Sequence, residues 1–259
     1  MDYIQIEDLP LDIINIIVDM LVTKDKIYFM ATNIYFLKNV CIFNMFCNVK
    51  ISQNIIEQRK FRNLNTLTIY NNKCLNVSKL TKLTYLNSNS RTDPIEGVSC
   101  LTNLTELHAS YMGQSKITQN DIINLSLLTG LNISFNTNIT SITHLTKLLY
   151  LHVSGNNSNI YQSDIKNLTN LTYLNIGNNR HITNLSHLPN LVYLRCLGIN
   201  INISKLYKLS TLELLLPLPN INISHLTNIT ELEASKEYIC NNKITINNLS
   251  SLTSINIFK

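Results

Sequence analysis

A seven-residue apolar pattern recurs through most of the chain. It has the form L-x-x-L-x-x-L, as in LTKLTYL from residue 80, LTNLTEL from residue 101 and LTNLTYL from residue 168. The second apolar position falls at Leu64, Leu83, Leu104, Leu128, Leu148, Leu171, Leu191, Leu209, Ile229 and Leu252. The mean spacing of about 21 residues is typical of a repeat architecture. The chain is therefore predicted to form an array in which each unit packs only on its neighbours.

Each unit also shows the alternation of a short strand with one buried face, as at Leu148, Leu151 and Val153. Together with a following Asn, this gives L-x-x-L-x-L-x-x-N and resembles the leucine-rich-repeat family. The LTNLTEL type of unit is similar to the repeats of bacterial internalins and of a phosphatase-1 regulatory subunit. The resemblance implies an α/β solenoid of about ten units over residues 61–259. It would have a parallel concave β-sheet and short 3₁₀ or helical convex segments, with helical turns in QNDIINL and QSDIKNL.

The Asn of the repeat has a structural role in that family. Its side-chain amide turns inward and satisfies backbone groups of the following turn that would otherwise be buried without partners. Four units keep this residue, as Asn72, Asn136, Asn156 and Asn179. The other units have different residues there, so the Asn ladder is expected to be broken toward both ends of the array.

The first sixty residues lack the leucine frame and have apolar residues at helical spacing. The segment LPLDIINIIVDMLVTKDKIYFMATNIYF resembles an F-box. The matching positions are Leu9, Pro10, Ile13, Ile14, Ile17, Leu21 and Asp25, with Phe36 at the position of the family's Trp. Asp12 replaces a Glu of that pattern, Lys26 replaces a Leu, and the Trp is absent, so the resemblance is to a degenerate F-box.

The F-box resemblance implies a helical module over residues 1–45 and a linker or N-terminal cap over residues 46–60. In the cap we expect a strand at 48–51 and a short helix at 53–60. F-boxes dock on the adaptor Skp1, so an F-box followed by repeats resembles the substrate receptors of SCF ubiquitin ligases. Similar proteins are numerous in amoebae and in the giant viruses that infect them. The implied Skp1-binding residues are Leu9, Pro10, Ile13, Ile17, Leu21 and Phe36.

An alternative remains open, because any repeat array needs a cap over its first apolar face. The N-terminal helices would then be only that cap. The chain would be a stand-alone binding or regulatory module, similar to the phosphatase regulator or to an adhesin.

The charge distribution and the lengths of the apolar stretches argue against nucleic acid and membranes as partners. The net charge is +5, but the Lys and Arg residues are scattered, whereas nucleic-acid binding needs them clustered on one face. No apolar stretch approaches the roughly 20 residues that span a bilayer. Met1 is followed by Asp2 and Glu7, which is unlike a secretory signal, and the six Cys show no C-x-x-C pair. We therefore expect an intracellular protein, in the cytoplasm or nucleus, that binds neither nucleic acid nor membrane.

The sequence contains no motif of a known catalytic or phosphate-binding site. His144, His187 and His225 occupy one repeat position, which holds other polar residues elsewhere, so they are predicted to be a surface column and not a metal site. Cys196 falls on an inward strand position, which predicts core packing. We expect no enzymatic activity, no cofactor and no metal.

The outward-pointing strand residues of such a fold line its concave face, where a protein target would bind. Tyr150, Tyr173 and Tyr193 stand at one position of three successive repeats and predict a continuous, solvent-exposed aromatic stripe. The predicted target-binding residues are Tyr150, His152, Tyr173, Tyr193, Arg195, Leu197 and Leu215, a composition typical of binding hot spots. Nearby Glu residues add an acidic end, which would favour a basic partner segment. Tyr also simply suits a strand surface. The chain is expected to be monomeric when the adaptor is absent.

Overall fold

The structure is a computed structural model that describes residues 21, 44–47, 53–57, 61–69, 75–88, 95–110, 116–196, 201–214, 221–235, 244–245 and 249–258. Of the predicted Skp1-binding residues only Leu21 is described, and it is half-buried. The F-box-like module therefore lies outside the described residues, as do Asn72, Leu197 and Leu215. The described chain divides into two compact units: residues 1–108 with 115–125, and residues 109–114 with 126–259.

Unit one has a main sheet of four parallel strands among the described residues, in the order β1-β2-β4-β6. Its elements are β1 (Asn44–Cys47), α1 (Gln53–Ile56), β2 (Thr66–Ile69), β3 (Leu75–Asn76), β4 (Tyr85–Asn87), β5 (Ile95–Glu96), a 3₁₀ helix (Val98–Cys100), β6 (Glu106–His108) and α2 (Gln119–Ile122). The short strands β3 and β5 pair with each other in a second sheet. One repeat therefore contributes one strand to the main sheet and returns through a short segment on the other side.

Unit two repeats this arrangement with seven parallel strands in the order β7-β8-β9-β10-β11-β13-β15. Its elements are β7 (Gly130–Asn132), β8 (Tyr150–His152), α3 (Gln162–Ile165), β9 (Tyr173–Asn175), β10 (Tyr193–Cys196), β11 (Thr211–Leu214), β12 (Ile221–Asn222), β13 (Glu231–Ser235), β14 (Ile244–Thr245) and β15 (Ser254–Phe258). The strands are in register, so that Leu151 lies beside Leu174 and Leu174 beside Leu194.

The core follows the leucine frame. The second apolar position of the pattern is fully buried from Leu64 to Ile229, and Leu252 is half-buried. The inward strand residues Leu151, Leu174 and Leu194 have no exposed surface. The described chain thus has the leucine-rich-repeat solenoid architecture, in which leucines from successive repeats pack against one another within each unit.

The predicted helical turns are present as α2 and α3. At the start of α2 the Asp121 carboxylate accepts a hydrogen bond of 2.8 Å from the backbone N–H of Thr118. Asp164 does the same for Tyr161 at 2.9 Å before α3. These carboxylates satisfy backbone donors that the first turn of a helix leaves free.

The N-terminal cap differs in part from its prediction. A helix lies within 53–60 as expected, but the strand found before it is β1 at Asn44–Cys47, ahead of the predicted 48–51 and across the predicted boundary at residue 45. β1 pairs in parallel with β2, Asn44 lying opposite Thr66. A segment ahead of the repeats therefore extends the repeat sheet by one strand.

The Asn ladder is confirmed at two of its predicted positions. Asn136 and Asn179 are buried, and each side-chain carbonyl accepts backbone N–H bonds of the next turn, as at His181 (2.8 Å). The Asn179 amide donates back to the carbonyls of Val153 and Ile160 at 3.5 and 3.1 Å. In both turns the preceding residue is left-handed, with φ of 59° at Phe135 and 61° at Asn178.

The prediction for Asn156 was wrong, because this side chain is exposed. The turn after β8 is one residue longer between the strand leucine and the buried Ile160 than the two turns that keep the Asn. It passes through Gly155 at φ 123° instead of a left-handed residue, which rotates Asn156 outward. Ser158 is buried in its place, and its hydroxyl accepts the Ile160 N–H at 3.3 Å.

Two rows of surface hydrogen bonds, which the sequence analysis missed, connect successive repeats. In the hydroxyl row, Thr or Ser directly after the second leucine donates to the backbone carbonyl of the same position one repeat earlier. Its members are Thr84, Thr105, Thr172, Ser210, Thr230 and Thr253. In the amide row, the side chains of Asn103, Asn170, Asn190 and Asn228 donate to backbone carbonyls of the preceding repeat. The recurring Thr and Asn of the LTNLT units therefore join repeats at their margins.

Candidate protein-binding surface

The outward face of the unit-two sheet, opposite the buried leucines, carries a stack of three tyrosines. Tyr150, Tyr173 and Tyr193 lie opposite one another on β8, β9 and β10. The ring centroids of Tyr150 and Tyr173 are 4.4 Å apart at an interplanar angle of 21°, and those of Tyr173 and Tyr193 are 4.1 Å apart at 3°. We call these residues the tyrosine stack. The three tyrosines therefore lie in register on adjacent strands, as the sequence predicts.

The tyrosines are less accessible than predicted. All three are half-buried, not largely exposed, because each ring covers a face of its neighbour. Parallel strands lie only about 4.8 Å apart, so large planar side chains at the same position of adjacent strands must stack. Such contacts add about 0.5–1.5 kcal/mol per aromatic pair beyond burial. The stack is therefore a preformed, rigid surface.

A polar cluster closes the β10 side of the stack. The Tyr193 hydroxyl donates a hydrogen bond to Glu213 of β11, and the other Glu213 oxygen lies 3.4 Å from Nε of Arg195. Burial raises the pKa of Tyr193 above its ordinary value, and the contacts with Glu213 and Tyr173 raise it further. Tyr193 consequently stays protonated as a donor. Arg195 lies beside the stack as predicted, but its guanidinium is engaged with a carboxylate.

A second row of polar residues, His152, Asn175 and Arg195, lies next to the tyrosine stack on the same three strands. His152 on β8 has Nε2 at 3.0 Å from the Ser154 hydroxyl, which in turn donates to Ser134 at 2.9 Å. Asn175, between His152 and Arg195 in register, is buried, and its carbonyl accepts the Gly177 N–H at 3.0 Å. This column therefore supports the turns that follow the strands as well as facing outward.

The acidic end of the face lies on β11 and β13. Thr211, Glu231 and Ser254 continue the row of the tyrosine stack, and Glu213 lies beside Glu233 in the next row. Glu231 is exposed, and the Thr211 hydroxyl donates to it at 3.3 Å.

The outward face of unit one has a different composition. Tyr85 and His108 approach with ring centroids 5.5 Å apart, and His108 Nε2 lies 2.7 Å from a Glu106 carboxylate oxygen. The Asn87 amide donates to the Tyr85 hydroxyl at 3.4 Å. This cluster is polar and lacks a stack of like side chains.

The histidine column and Cys196 belong to the repeat framework and to the core. His187 and His225 are half-buried, and Nε2 of each lies 3.2 and 3.4 Å from backbone carbonyls one repeat earlier, so this column belongs to the repeat framework. In the described ranges, no three His, Cys, Asp or Glu side chains group as metal ligands. Cys196 is buried as predicted, and burial raises the pKa of its thiol to about 12. None of the helices in the described part is long and apolar enough to cross a membrane.

Solved structures with the same architecture are found, although no family profile and no curated protein matches the sequence. The functional domain of InlJ from Listeria monocytogenes, which includes a cysteine ladder, is 22% identical with a TM-score of 0.57, over 83% of this chain and 53% of that one. The leucine-rich-repeat ectodomain of the receptor kinase GASSHO1/SCHENGEN3 from Arabidopsis thaliana was solved in complex with CASPARIAN STRIP INTEGRITY FACTOR 2. It is 18% identical with a TM-score of 0.50, over 85% of this chain and 33% of that one. The chain thus spans about half of the InlJ domain, and the likeness establishes that its fold is a leucine-rich-repeat solenoid.

Proposed function

We propose that the chain is a non-catalytic protein-binding module whose target is held on the outward face of the unit-two sheet. The observation that carries this proposal is the tyrosine stack, ordered by the strand register and bordered by Arg195 and Glu213. Tyr and Arg are the side chains that dominate binding energy at protein interfaces. A rigid aromatic surface also loses little conformational entropy when a partner covers it.

Alternative roles for the stack are less well supported. A purely structural stack would need no charged residues at its border, whereas Arg195 and Glu213 leave 40% and 14% of their side-chain surfaces accessible. The ectodomain of GASSHO1/SCHENGEN3, solved in complex with CASPARIAN STRIP INTEGRITY FACTOR 2, illustrates that this architecture can serve recognition. The residues that would contact a target here are Tyr150, His152, Tyr173, Tyr193 and Arg195, together with Leu197 and Leu215, which lie outside the described residues.

Affinity capture from a eukaryotic lysate tests the proposal. The triple variant Tyr150→Ser, Tyr173→Ser, Tyr193→Ser should lose the proteins that the wild-type chain retains. The matched control is Tyr161→Ser with Tyr207→Ser, because these tyrosines are exposed and lie outside the sheet face. Retention of the same proteins by the stack variant, or equal loss from the control, would place the binding site elsewhere.

The finer proposal is that the target is presented to a ubiquitin ligase of the SCF type. It rests on the resemblance of residues 5–45 to an F-box, with Leu9, Pro10, Ile13, Ile17, Leu21 and Phe36 at the positions that would contact a Skp1-like adaptor. The chain would then act by proximity, holding the target near a ubiquitin-charged enzyme. Co-elution with Skp1 on a sizing column tests this, and Leu9→Ala with Pro10→Ala should abolish it. Separate elution at concentrations on the order of 10 μM would contradict the adaptor role.

One observation favours the second candidate, a stand-alone binding module. β1 pairs with β2 and so extends the repeat sheet, as a cap does. If the N-terminal segment is only a cap, its removal should lower the stability of the repeats, and Skp1 should not bind. Under this candidate the tyrosine stack keeps its role.

A further inference from the structure

Charge is unevenly distributed in this protein. The whole chain carries a net charge of +5, yet among the described strand residues of the unit-two face there are three carboxylates, Glu213, Glu231 and Glu233, and one Lys or Arg, which is Arg195. Arg195 offsets Glu213, since the two are ion-paired at 3.4 Å. Glu231 and Glu233, on β13, then leave the described part of this face with a local negative charge. An acidic face on a basic protein attracts cationic partners and excludes anionic ones.

The tyrosine stack ends beside this acidic region. One face of the Tyr193 ring is covered by Tyr173, with which it is nearly parallel. The opposite ring face is directed toward β11, where the residue in register is the short Thr211. One strand further, the residue in register is the exposed Glu231.

Tyr193, Thr211 and Glu231 together provide an aromatic ring, a short side chain and a carboxylate, which is what a site for an organic cation needs. Strands lie about 4.8 Å apart, so a group stacked on Tyr193 takes the place that a longer side chain would fill at Thr211. That group would have a π-face on one side and a carboxylate on the other. A cation held against an aromatic face is attracted by the ring's negative π-face, and the attraction is stronger where less water reaches the contact.

We propose that the Thr211 position receives an arginine side chain from an extended basic segment of the target protein. The guanidinium would stack on Tyr193, and its outer N–H groups would reach Glu231, with Glu233 adding to the attraction. Arginine fits better than lysine because its planar group both stacks and forms two parallel bonds to a carboxylate. This inference rests on the proposed function and specifies the chemistry of the partner.

A labelled arginine-only hexapeptide, with a lysine-only peptide of the same length, provides the probe. Fluorescence anisotropy with the full chain should show tighter binding of the arginine peptide. Glu231→Gln with Glu233→Gln should weaken it roughly tenfold or more, since two charges are lost. Thr211→Tyr should weaken the arginine peptide by a similar factor while retaining both carboxylates, because the new ring occupies the site. The control Glu57→Gln removes an exposed carboxylate of unit one and should leave binding within about twofold.

Several results would overturn the inference. These are equal affinity for the two peptides, no effect of Thr211→Tyr, or an effect of Glu57→Gln as large as that of the Glu231 and Glu233 pair. Failure here is distinguishable from failure of the proposed function. If lysate proteins are still lost from the tyrosine-stack variant while the Glu variants bind the arginine peptide normally, the surface binds a partner of different chemistry. If the stack variant retains those proteins, the proposed function itself is wrong.

Discussion

The two faces of the unit-two sheet are formed by the same strands but differ in how much their residues vary from repeat to repeat. On the inward face, Leu151, Leu174 and Leu194 repeat one residue type and are completely buried. On the outward face, the row beside them changes from Gly130 through three tyrosines to Thr211 and Glu231. Packing against the next repeat demands one shape at every inward position, whereas the outward positions need only suit a strand. The residues that distinguish one repeat of this protein from the next are therefore on the outward face.

The largest expected effect tests the inward face. Leu174→Ala, or Leu151→Ala, should lower the free energy of unfolding by about 2–5 kcal/mol, because the cavity lies between two repeats that cannot both collapse into it. Denaturant unfolding followed by circular dichroism measures this. A loss below about 1 kcal/mol at both positions would mean that the repeats do not share a close-packed core.

The Asn turns give the second comparison, between two residues of the same type. Asn179→Ala should cost about 1–3 kcal/mol, because it leaves buried backbone groups of two turns without partners. Asn156→Ala should cost less than about 0.5 kcal/mol, since that side chain is exposed. Equal losses in thermal or chemical melts would show that the longer turn after β8 also depends on its Asn.

The difference between Asn179 and Asn156 shows which parts of the structure can be predicted from the sequence alone. The leucine frame predicts the buried positions and the strand register, because the same apolar pattern recurs in each unit, and both short helices lie in units that are longer than the mean. The frame does not predict that the Asn156 side chain is exposed, because one extra residue and Gly155 change the backbone path of that turn. The frame also places the tyrosines in register without predicting how much of each ring its neighbour covers. The Glu213 contact with Tyr193 and Arg195 depends on side-chain conformations that spacing does not determine.

The third prediction revises what the sequence alone suggests for the tyrosine stack. If the rings were solvent-exposed, replacing all three by Ser would leave stability unchanged. Since they stack in two pairs, the triple variant should instead lose about 1–3 kcal/mol of stacking, which reaches only the lower part of the range expected for a single inward leucine. A calorimetric melt distinguishes the two cases. Complete unfolding of the variant would mean that the outward face contributes to the core as much as the inward one does.

The smallest expected effect concerns Thr172. This residue directly follows the buried Leu171 and is itself exposed. Its exposed position alone predicts that Thr172→Ala costs less than about 0.5 kcal/mol. However, its hydroxyl donates to the Leu149 carbonyl at 3.1 Å as one member of the hydroxyl row. A solvent-exposed hydrogen bond of this kind contributes about 0.5 kcal/mol, so Thr172→Ala should cost about that much and Thr172→Ser should cost less. Thr172→Val keeps the shape without the donor and should resemble the Ala variant. If Ser proves as destabilising as Ala in denaturant melts, the hydroxyl does not join the repeats energetically. The recurring Thr would then be explained by its preference for strand backbone.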